Sequence, residues 1–438
     1  MSAMNQPAKQ TYLIITVAMV LFLFTADKPF ALDLSNEWGG HVKGEGYVLD
    51  DDERSILAMS GGERHWDGFV DFRLKDRLVM GDSMDFEIHY NAGYTVGDTY
   101  RNIRNLKAFL PFIPQGLIAG TEPDDSRRLF DLSHRLHQDR ESVAWHRLDR
   151  LFFTVKHQAF EWRLGRQAVT WGNGLFFNPM DVMNPFSPTD TQREYKTGDD
   201  LASMTFTMGP SWDVQCVIVP RRDIASGEVE EDQSSLAVKI HTLSESFEMD
   251  AMAARHVDET MVGLGFSRNV GEAVFRSDLV GSSLDHESRG HDIALFLVAN
   301  LDYSWTFFQK NMYGSLEYYH NGLGRNVMTH AITDPELMER IARGEVFVLG
   351  RNYLGGQIRV ELHALVNFTL GLIGSLDSES TIVQPRVQWD MGQNSRLQCG
   401  ANIRCGPRDT EFGGIEIPGT GVYLSEGNSL YLIWGYYF

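Results

Sequence analysis

Four arginines in the last fifth of the chain stand at alternate positions among apolar residues. They are Arg359, Arg386, Arg396 and Arg404. Alternation of this kind places every second side chain on one face of a β-strand, so the four guanidinium groups share a face. A row of fixed cations beside water attracts and orients polar solutes without making or breaking bonds. The other interpretation is that these arginines only neutralise the nearby carboxylates of Glu361 and Asp390.

A second set of charges lies in the long segment TWGNGLFFNPMDVMNPFSPTDTQREYKTGDD, residues 170–200. Its charged members include Asp181, Asp190, Arg193, Glu194, Lys196 and Asp199. The segment is also rich in phenylalanine and methionine, which a freely solvated loop seldom carries, so we expect it to fold against another part of the protein. Acidic groups on this loop, opposite a row of arginines, would create a transverse field across a narrow passage. The alternative is a loop that packs on the rim as a lid.

Arg163 and Arg166 come just before this segment, on a predicted strand. By alternation from Trp162 and Leu164, Arg166 should face outward onto an apolar surface, which is costly for a guanidinium group. Either it lies near the rim of the structure or a bulge turns it inward. We expect it to face inward.

Bond-making chemistry has little support in this sequence. The chain contains no G-x-S-x-G, H-E-x-x-H or C-x-x-C motif. His134, His137 and His146 lie close together in one long loop, where a metal site is conceivable. Histidines in loops are usually solvated, so we expect neither a metal nor a cofactor. A serine–histidine pair on a barrel wall, as in outer-membrane lipases, is an alternative that the sequence leaves open.

β-Strands are the elements that must position these residues. We predict eighteen strands of about ten to fifteen residues from the alternation of apolar and polar side chains. Sixteen is the alternative if two neighbouring assignments are wrong together. The approximate ranges are 38–48, 66–77, 83–95, 145–157, 160–169, 200–208, 211–219, 234–243, 246–256, 260–269, 271–281, 291–301, 306–320, 349–363, 365–376, 380–391, 394–405 and 427–438.

The connections between these strands follow a regular order. Those after even-numbered strands are all short, such as Gly209-Pro210, and those after odd-numbered strands include every long one. Short periplasmic turns alternating with long outer loops are typical of a transmembrane antiparallel β-barrel. We therefore predict an all-β fold in which residues 32–438 form a single barrel. A barrel of this size encloses more space than side chains can fill, so its polar interior needs water.

Two outer loops are predicted to contain short helices. In the loop 96–144, Leu129, Leu132 and Leu136 recur at spacings of three and four. In the loop 321–348, Thr333 and Glu336 suggest a capping box, followed by Gly344 as a C-terminal cap.

The last ten residues, SLYLIWGYYF, alternate aromatic and aliphatic side chains up to Phe438. This ending resembles the C-terminal closing strand of bacterial outer-membrane barrels, in which the strand is also an assembly signal. The stretch RLGRQAVTWGNGLFFNPMDVMNPFSP, starting at Arg163, resembles porin-like outer-membrane families that include relatives of alginate-export barrels. The resemblance is best over 145–200 and the final three strands, and it implies a type of barrel rather than a substrate.

Targeting, charge and cysteine content agree with an exported protein. Residues 1–31 combine Lys9 with an apolar run and are predicted to be a signal peptide. The formal net charge of −20 argues against nucleic acid as a partner. Cys399 and Cys405 would lie about 20 Å apart along one strand, whereas a disulfide requires Cα atoms within about 7 Å. We expect these two and Cys216 to face lipid as free thiols.

These features predict a porin-like channel in the bacterial outer membrane for passive or mildly selective diffusion of small polar solutes, without enzymatic activity. Its expected partners are outer-membrane lipid, lipopolysaccharide and the barrel-assembly machinery. Loop 170–199 is expected to fold into the lumen. The alternatives are a closed barrel that anchors or binds surface polysaccharide, and a barrel lipid hydrolase. The predicted constriction and lumen-lining residues are Arg163, Arg166, Asp181, Asp190, Arg193, Glu194, Asp199, Arg359, Arg386, Arg396 and Arg404.

Overall fold

The computed structural model describes residues 34–109, 122–190, 194–284 and 293–438. The predicted signal peptide and Arg193 lie outside these ranges. Within them no helix is both long enough and apolar enough to cross a membrane.

The described chain is dominated by antiparallel strands. Eighteen of them form a closed barrel, in which β21 returns to pair with β1. The strands are β1 (Leu34–Asp50), β2 (Arg64–Met80), β3 (Met84–Gly97), β4 (Ser133–Gln138), β5 (Ser142–His157), β6 (Phe160–Gln167), β7 (Asp199–Met208), β8 (Trp212–Arg222), β9 (Val229–Leu243), β10 (Glu248–His256), β11 (Glu259–Val270), β12 (Ala273–Ser283), β13 (Ile293–Phe307), β14 (Lys310–Asn321), β15 (Asn352–His363), β16 (Val366–Ser375), β17 (Ser380–Asp390), β18 (Ser395–Cys405), β19 (Ile415–Glu416), β20 (Tyr423–Leu424) and β21 (Asn428–Tyr437). All but β4, β19 and β20 belong to the barrel, and each overlaps one of the eighteen predicted ranges.

Side chains alternate between the two faces of the barrel wall. On β21, Leu430 is 65% exposed and Tyr431 only 4% exposed. The outward face of the barrel carries exposed Leu, Ile, Val and Trp side chains, as lipid contact requires. The last residue continues the pairing, because Phe438 and Gly40 exchange backbone hydrogen bonds at the seam between β1 and β21.

Within the described ranges, four short helices lie in the connections between strands: α1 (Ile56–Gly61), α2 (Asp98–Phe109), α3 (Met328–Ala331) and α4 (Pro335–Arg343). The prediction of a helix before Gly344 is confirmed, with Gly344 at a positive φ of 73°. Its N-cap is Asp334 rather than Thr333, since the Asp334 side chain accepts a hydrogen bond from the Leu337 N–H at 3.1 Å.

The helix predicted around Leu129, Leu132 and Leu136 is wrong. The structure has strand β4 there, and the helix in this connection is α2, which the leucine spacing did not indicate. β4 pairs with β5 at Ser133–Arg147 and Gln138–Val143. An unpaired stretch of β5 offers free backbone groups, and satisfying them outweighs the helical spacing.

The wall has a notch above β6 and β7, which are short because the chain between them leaves the wall. Residues 122–138 fill this notch. On one side β4 extends the ladder of β5, and on the other Arg222 on β8 donates its backbone N–H to Arg127 O at 2.9 Å. We call residues 122–138 the wall insert.

The three cysteines are free thiols. Cys399 lies on the outward face of β18, between Val387 of β17 and Leu432 of β21. In a C216S/C405S background, we expect Cys399 of the lipid-embedded protein to react many-fold more slowly with a charged maleimide than it does in urea, because lipid covers it. An S226C variant of the same background adds a thiol in an exposed loop as the control. Equal rates for Cys399 in lipid and in urea would contradict the outward orientation.

Candidate functional site

Residues 168–198, which connect β6 to β7, contact the inward faces of strands on opposite sides of the barrel. Trp171 donates its indole N–H to Gln215 on β8 at 2.5 Å. Far around the wall, the Gln384 side chain on β17 donates to Thr189 O at 3.0 Å. We call the described residues of this connection, 168–190 and 194–198, the transverse segment.

Glu317 on β14 is the main anchor of the transverse segment. Its carboxylate accepts the backbone N–H groups of Leu175, Phe176 and Phe177 at 2.6, 3.0 and 2.8 Å. Asn300 on β13 donates to the same carboxylate at 3.1 Å. Glu317 is 0% exposed, so these bonds hold a buried charge that would otherwise be very costly.

Asp278 on β12 anchors the transverse segment in the same way, at Asn173. It accepts both the backbone and the side-chain N–H of Asn173, at 2.6 and 2.8 Å. The Asn173 carbonyl in turn accepts a hydrogen bond from Asn300 at 3.0 Å. Two inward acids therefore bind consecutive parts of one loop through its backbone.

The apolar side chains of the transverse segment form a core inside the barrel. The ring of Phe177 stacks on Tyr319 of β14, with centroids 4.4 Å apart, and also contacts Tyr353 of β15. Phe176 lies directly over Gly355, where an added Cβ would come within 2.9 Å of the ring. This explains why a loop so rich in phenylalanine and methionine is not solvated. Residues of α4 and its flanking loop complete the same cluster.

A buried ion pair between Asp181 and Lys196 joins two distant parts of the transverse segment. Lys196 also donates to Val169 O at 3.0 Å. Burial raises the pKa of Asp181 to about 7, although Lys196 opposes the shift. Burial likewise lowers the pKa of Lys196.

Residues 196–198, at the end of the transverse segment, are held by a network of arginines on β2 and β5. Arg73 donates to Asp149 at 2.8 Å, and Arg150 donates to the same carboxylate at 2.9 Å. Arg150 also donates to Lys196 O, and Asp149 accepts from the Gly198 N–H at 3.2 Å. These arginines are buried and act on the loop rather than on a passing solute.

The far end of the transverse segment reaches the first and last strands. Glu194 pairs with Lys43 on β1 at 3.0 Å and accepts a hydrogen bond from Tyr437 on β21 at 2.7 Å. The Tyr195 hydroxyl accepts a hydrogen bond from Lys75 on β2 at 2.8 Å. The segment thus bridges the barrel from β8 to β1.

The four late arginines have different surroundings. Arg359 is exposed above the Tyr313 ring, and Arg386 is half-buried on β17, with Thr369 of β16 between them in the register. Arg396 instead pairs with Asp390 at 2.9 Å, which is the neutralisation considered above. Arg404 binds Gly427 O and Glu426 near the long loops.

The predicted acidic face is mostly paired within the protein. Asp181 and Glu194 are bound as described, and Asp199 pairs with Arg221 at 2.5 Å. Asp190 lies at a turn where its backbone N–H donates to Ser187 O. Arg163, on β6, pairs with Glu161 at 2.8 Å and is exposed.

Arg166 was predicted to line the lumen, and the structure places it in an enclosed cluster of charges. The register sets it beside Leu151 and Asp200, and Gly165 just before it has a positive φ of 124°. Its side chain is fully enclosed and ion-paired with Asp125 and Asp200, at 2.6 and 2.9 Å. Asp125 belongs to the wall insert, so Arg166 connects the tops of β6 and β7 to the insert without meeting lipid.

Sequence reasoning missed the anchors Glu317 and Asp278. The available signal was a single acid at an inward position between apolar residues, in LEYY and SDLV. No motif says which backbone such an acid binds, because its partners lie more than a hundred residues away. In the part of the chain that the structure describes, no group of three or more His, Cys, Asp or Glu could hold a metal ion.

Replacing Glu317 tests the anchor. In E317A, the three N–H groups of residues 175–177 lose their acceptor, at a cost of roughly 1–3 kcal/mol each while buried. We expect the part of the transverse segment around residues 173–180 to detach and to be cut by protease in membrane-embedded protein, with the barrel intact. E361Q, which changes an inward acid outside this contact, is the matched control. Equal protease resistance of E317A and wild type would show that Glu317 is not the anchor.

The ion pair between Asp181 and Lys196 predicts that docking of the transverse segment depends on pH. Because the pKa of Asp181 is raised to about 7 in the folded segment, folding takes up a proton, and docking weakens as pH rises from about 4 to 7. We expect the protease sensitivity of the segment, normalised to protease activity, to be higher at pH 8 than at pH 5. D181N should reduce this difference, whereas D223N, in an exposed loop, should keep it in full. An unchanged pH dependence in D181N would contradict the assignment to Asp181.

Comparison with known proteins identifies the fold. No protein-family model and no curated protein matches the chain. Among solved structures, OccAB3 of Acinetobacter baumannii is similar with a TM-score of 0.53 at 9% identity, over 92% of this chain and 99% of that one. OpdQ of Pseudomonas aeruginosa gives 0.52 at 8% identity over 92% and 99%. A BenF-like porin from Pseudomonas fluorescens Pf-5 gives 0.51 at 9% identity over 92% and 98%. None of these three is an alginate-export barrel, so that narrower resemblance stays a prediction. The chain has the fold of an outer-membrane porin, a closed antiparallel barrel of eighteen strands.

Proposed function

We propose that the protein is an outer-membrane channel through which small polar solutes diffuse, and that the transverse segment narrows its lumen. The observation that carries this proposal is that the transverse segment contacts β8 through Trp171 and the seam between β1 and β21 through Glu194. A chain that crosses the interior leaves less room for solutes than the wall alone would. The apolar outward face and the polar inward positions support a lipid environment outside and water inside.

The exposed Arg359 favours a mild preference for anions. Arg359 and Arg386 lie on β15 and β17 at matching register positions, with Thr369 between them. Asp181, Glu194 and Asp199 of the opposing set are each paired with a cation. Arg359, which is exposed, therefore contributes more to the field in the passage than these acids do.

The same proposal includes the setting of the barrel. We propose that outer-membrane lipid and lipopolysaccharide contact the apolar outward face of the barrel. We also propose that the barrel-assembly machinery binds the terminal strand β21. Residues 1–31 would be the signal peptide that directs export.

Among the described residues, Ser235, His256 and Glu345 are the candidates that we considered for a hydrolytic function. We propose that they have a structural role instead. Ser235, His256 and Glu345 form a buried chain, with Ser235 Oγ 2.8 Å from His256 Nδ1 and Glu345 Oε1 2.9 Å from His256 Nε2. In serine hydrolases the serine meets Nε2 and the acid meets Nδ1, which is the opposite connection. Arg343 also donates to Glu345 at 2.5 Å. We propose that this series of hydrogen bonds holds the loop that follows α4 against β9 and β10.

Single-channel recording tests the proposal. We expect the refolded protein to give current steps of a steady size in a planar bilayer. Deletion of 175–195 should raise the step size because it removes the bridge across the lumen. A heat-modifiable barrel that carries no current would contradict the channel, and would favour a closed barrel that binds a surface ligand.

A salt gradient across the same bilayer tests the charge assignment. In R359Q we expect the reversal potential to move toward that of a cation-preferring pore. R404Q is the matched control, since Arg404 already binds Glu426 and Gly427 O. An equal shift in R404Q would place the selectivity at the mouth instead.

A further inference from the structure

We propose that the far end of the transverse segment clamps the seam between β1 and β21, so that narrowing of the lumen and closure of the barrel are one coupled event. The seam runs from the pair His41–Tyr437 to the pair Asp50–Asn428. This clamp acts in the folded barrel and does not depend on whether the barrel conducts ions.

The seam differs from the other contacts between wall strands. Most neighbouring strands are joined through a connection of the chain, whereas β1 and β21 are separated by almost the whole sequence. Bringing such distant segments together costs more loop-closure entropy than forming a hairpin. A side chain that binds both strands therefore matters more here than elsewhere in the wall.

Glu194 is such a side chain. One carboxylate oxygen accepts the Tyr437 hydroxyl of β21 at 2.7 Å, and the other lies 3.0 Å from Lys43 Nζ of β1. Lys43 is only 6% exposed, and such charge-assisted bonds are stronger than neutral ones when partly buried. The pKa of Glu194 is lowered by these two partners despite the effect of burial, as expected for a carboxylate that stays ionised.

Tyr195 extends the contact to the second strand. Its ring stacks on His41 of β1, with centroids 6.0 Å apart and planes 6° from parallel. Arg73 and Lys75 of β2 lie over the same ring, at 4.5 and 4.2 Å from its centroid. Two consecutive loop residues thus hold β21, β1 and β2 together from the inside.

Coupling follows from this geometry. Glu194 can make both contacts only when β1 and β21 are side by side, so docking of the segment favours the closed seam. By thermodynamic reciprocity, an open seam favours release of the segment. Glu317 on β14 lies five strands from β21 around the wall, so loss of this anchor leaves the Glu194 contacts in place and does not by itself open the seam.

Amide hydrogen exchange of the protein in lipid nanodiscs tests the clamp. We expect E194A to speed exchange in residues 428–437 and 41–50 by roughly tenfold or more, the size expected for the loss of a charge-assisted hydrogen bond. W171F, which removes the bond to Gln215 at the other end of the segment, is the matched control and should leave the seam at the wild-type rate. Y437F removes only one hydroxyl and gives a second, milder variant in case E194A does not fold.

The outcomes separate the clamp from the channel. Faster seam exchange in E194A and Y437F, but not in W171F, supports the clamp. Seam exchange at the wild-type rate in E194A and Y437F would overturn it, even if the current steps change. Equal acceleration in W171F would also overturn it, because any loosening of the segment would then act on the seam. Absence of current in the wild type would overturn only the proposed channel.

Discussion

The interior of this barrel depends on the carboxylate of Glu317. A chain that leaves the wall between β6 and β7 must find partners for its backbone N–H groups in a space without a neighbouring strand. Glu317 accepts three consecutive N–H groups, and Asp278 accepts another from Asn173. The side chains of the same residues are then free to pack, and Phe177 stacks on Tyr319, two residues from the anchor. Polar anchoring of the backbone and apolar packing of the side chains thus occur at one place.

The wall insert is a consequence of the same departure. Because residues 168–198 turn into the barrel, β6 and β7 end early and leave a notch that residues 122–138 complete. Arg166 joins the two parts through Asp125 and Asp200, and removing one partner of such a buried pair typically costs about 3–5 kcal/mol. The interior segment and the outer loop therefore depend on one another.

The strands could be predicted from the sequence because lipid and water impose opposite requirements on alternate residues. This contrast is local, and it was sufficient for the eighteen strands and the order of long and short connections. The pairing of charges is not local. Asp181 was expected to face the passage but is enclosed by Lys196, and nothing in the sequence separates these two possibilities. The leucines at 129, 132 and 136 failed as a helical signal because the open ladder of β5, which no local pattern reveals, decides their conformation.

The C-terminus has practical consequences for anyone who modifies this protein. Phe438 exchanges backbone hydrogen bonds with Gly40, and an added Cβ at Gly40 would lie 2.8 Å from the Phe438 ring. A purification tag or reporter fused to Phe438 would therefore emerge beside these backbone contacts. The turn between β8 and β9, with Ile224 59% exposed, offers a better place for an epitope, because it lies in an exposed loop away from the seam. Surface display of foreign sequences on this scaffold should begin from that turn.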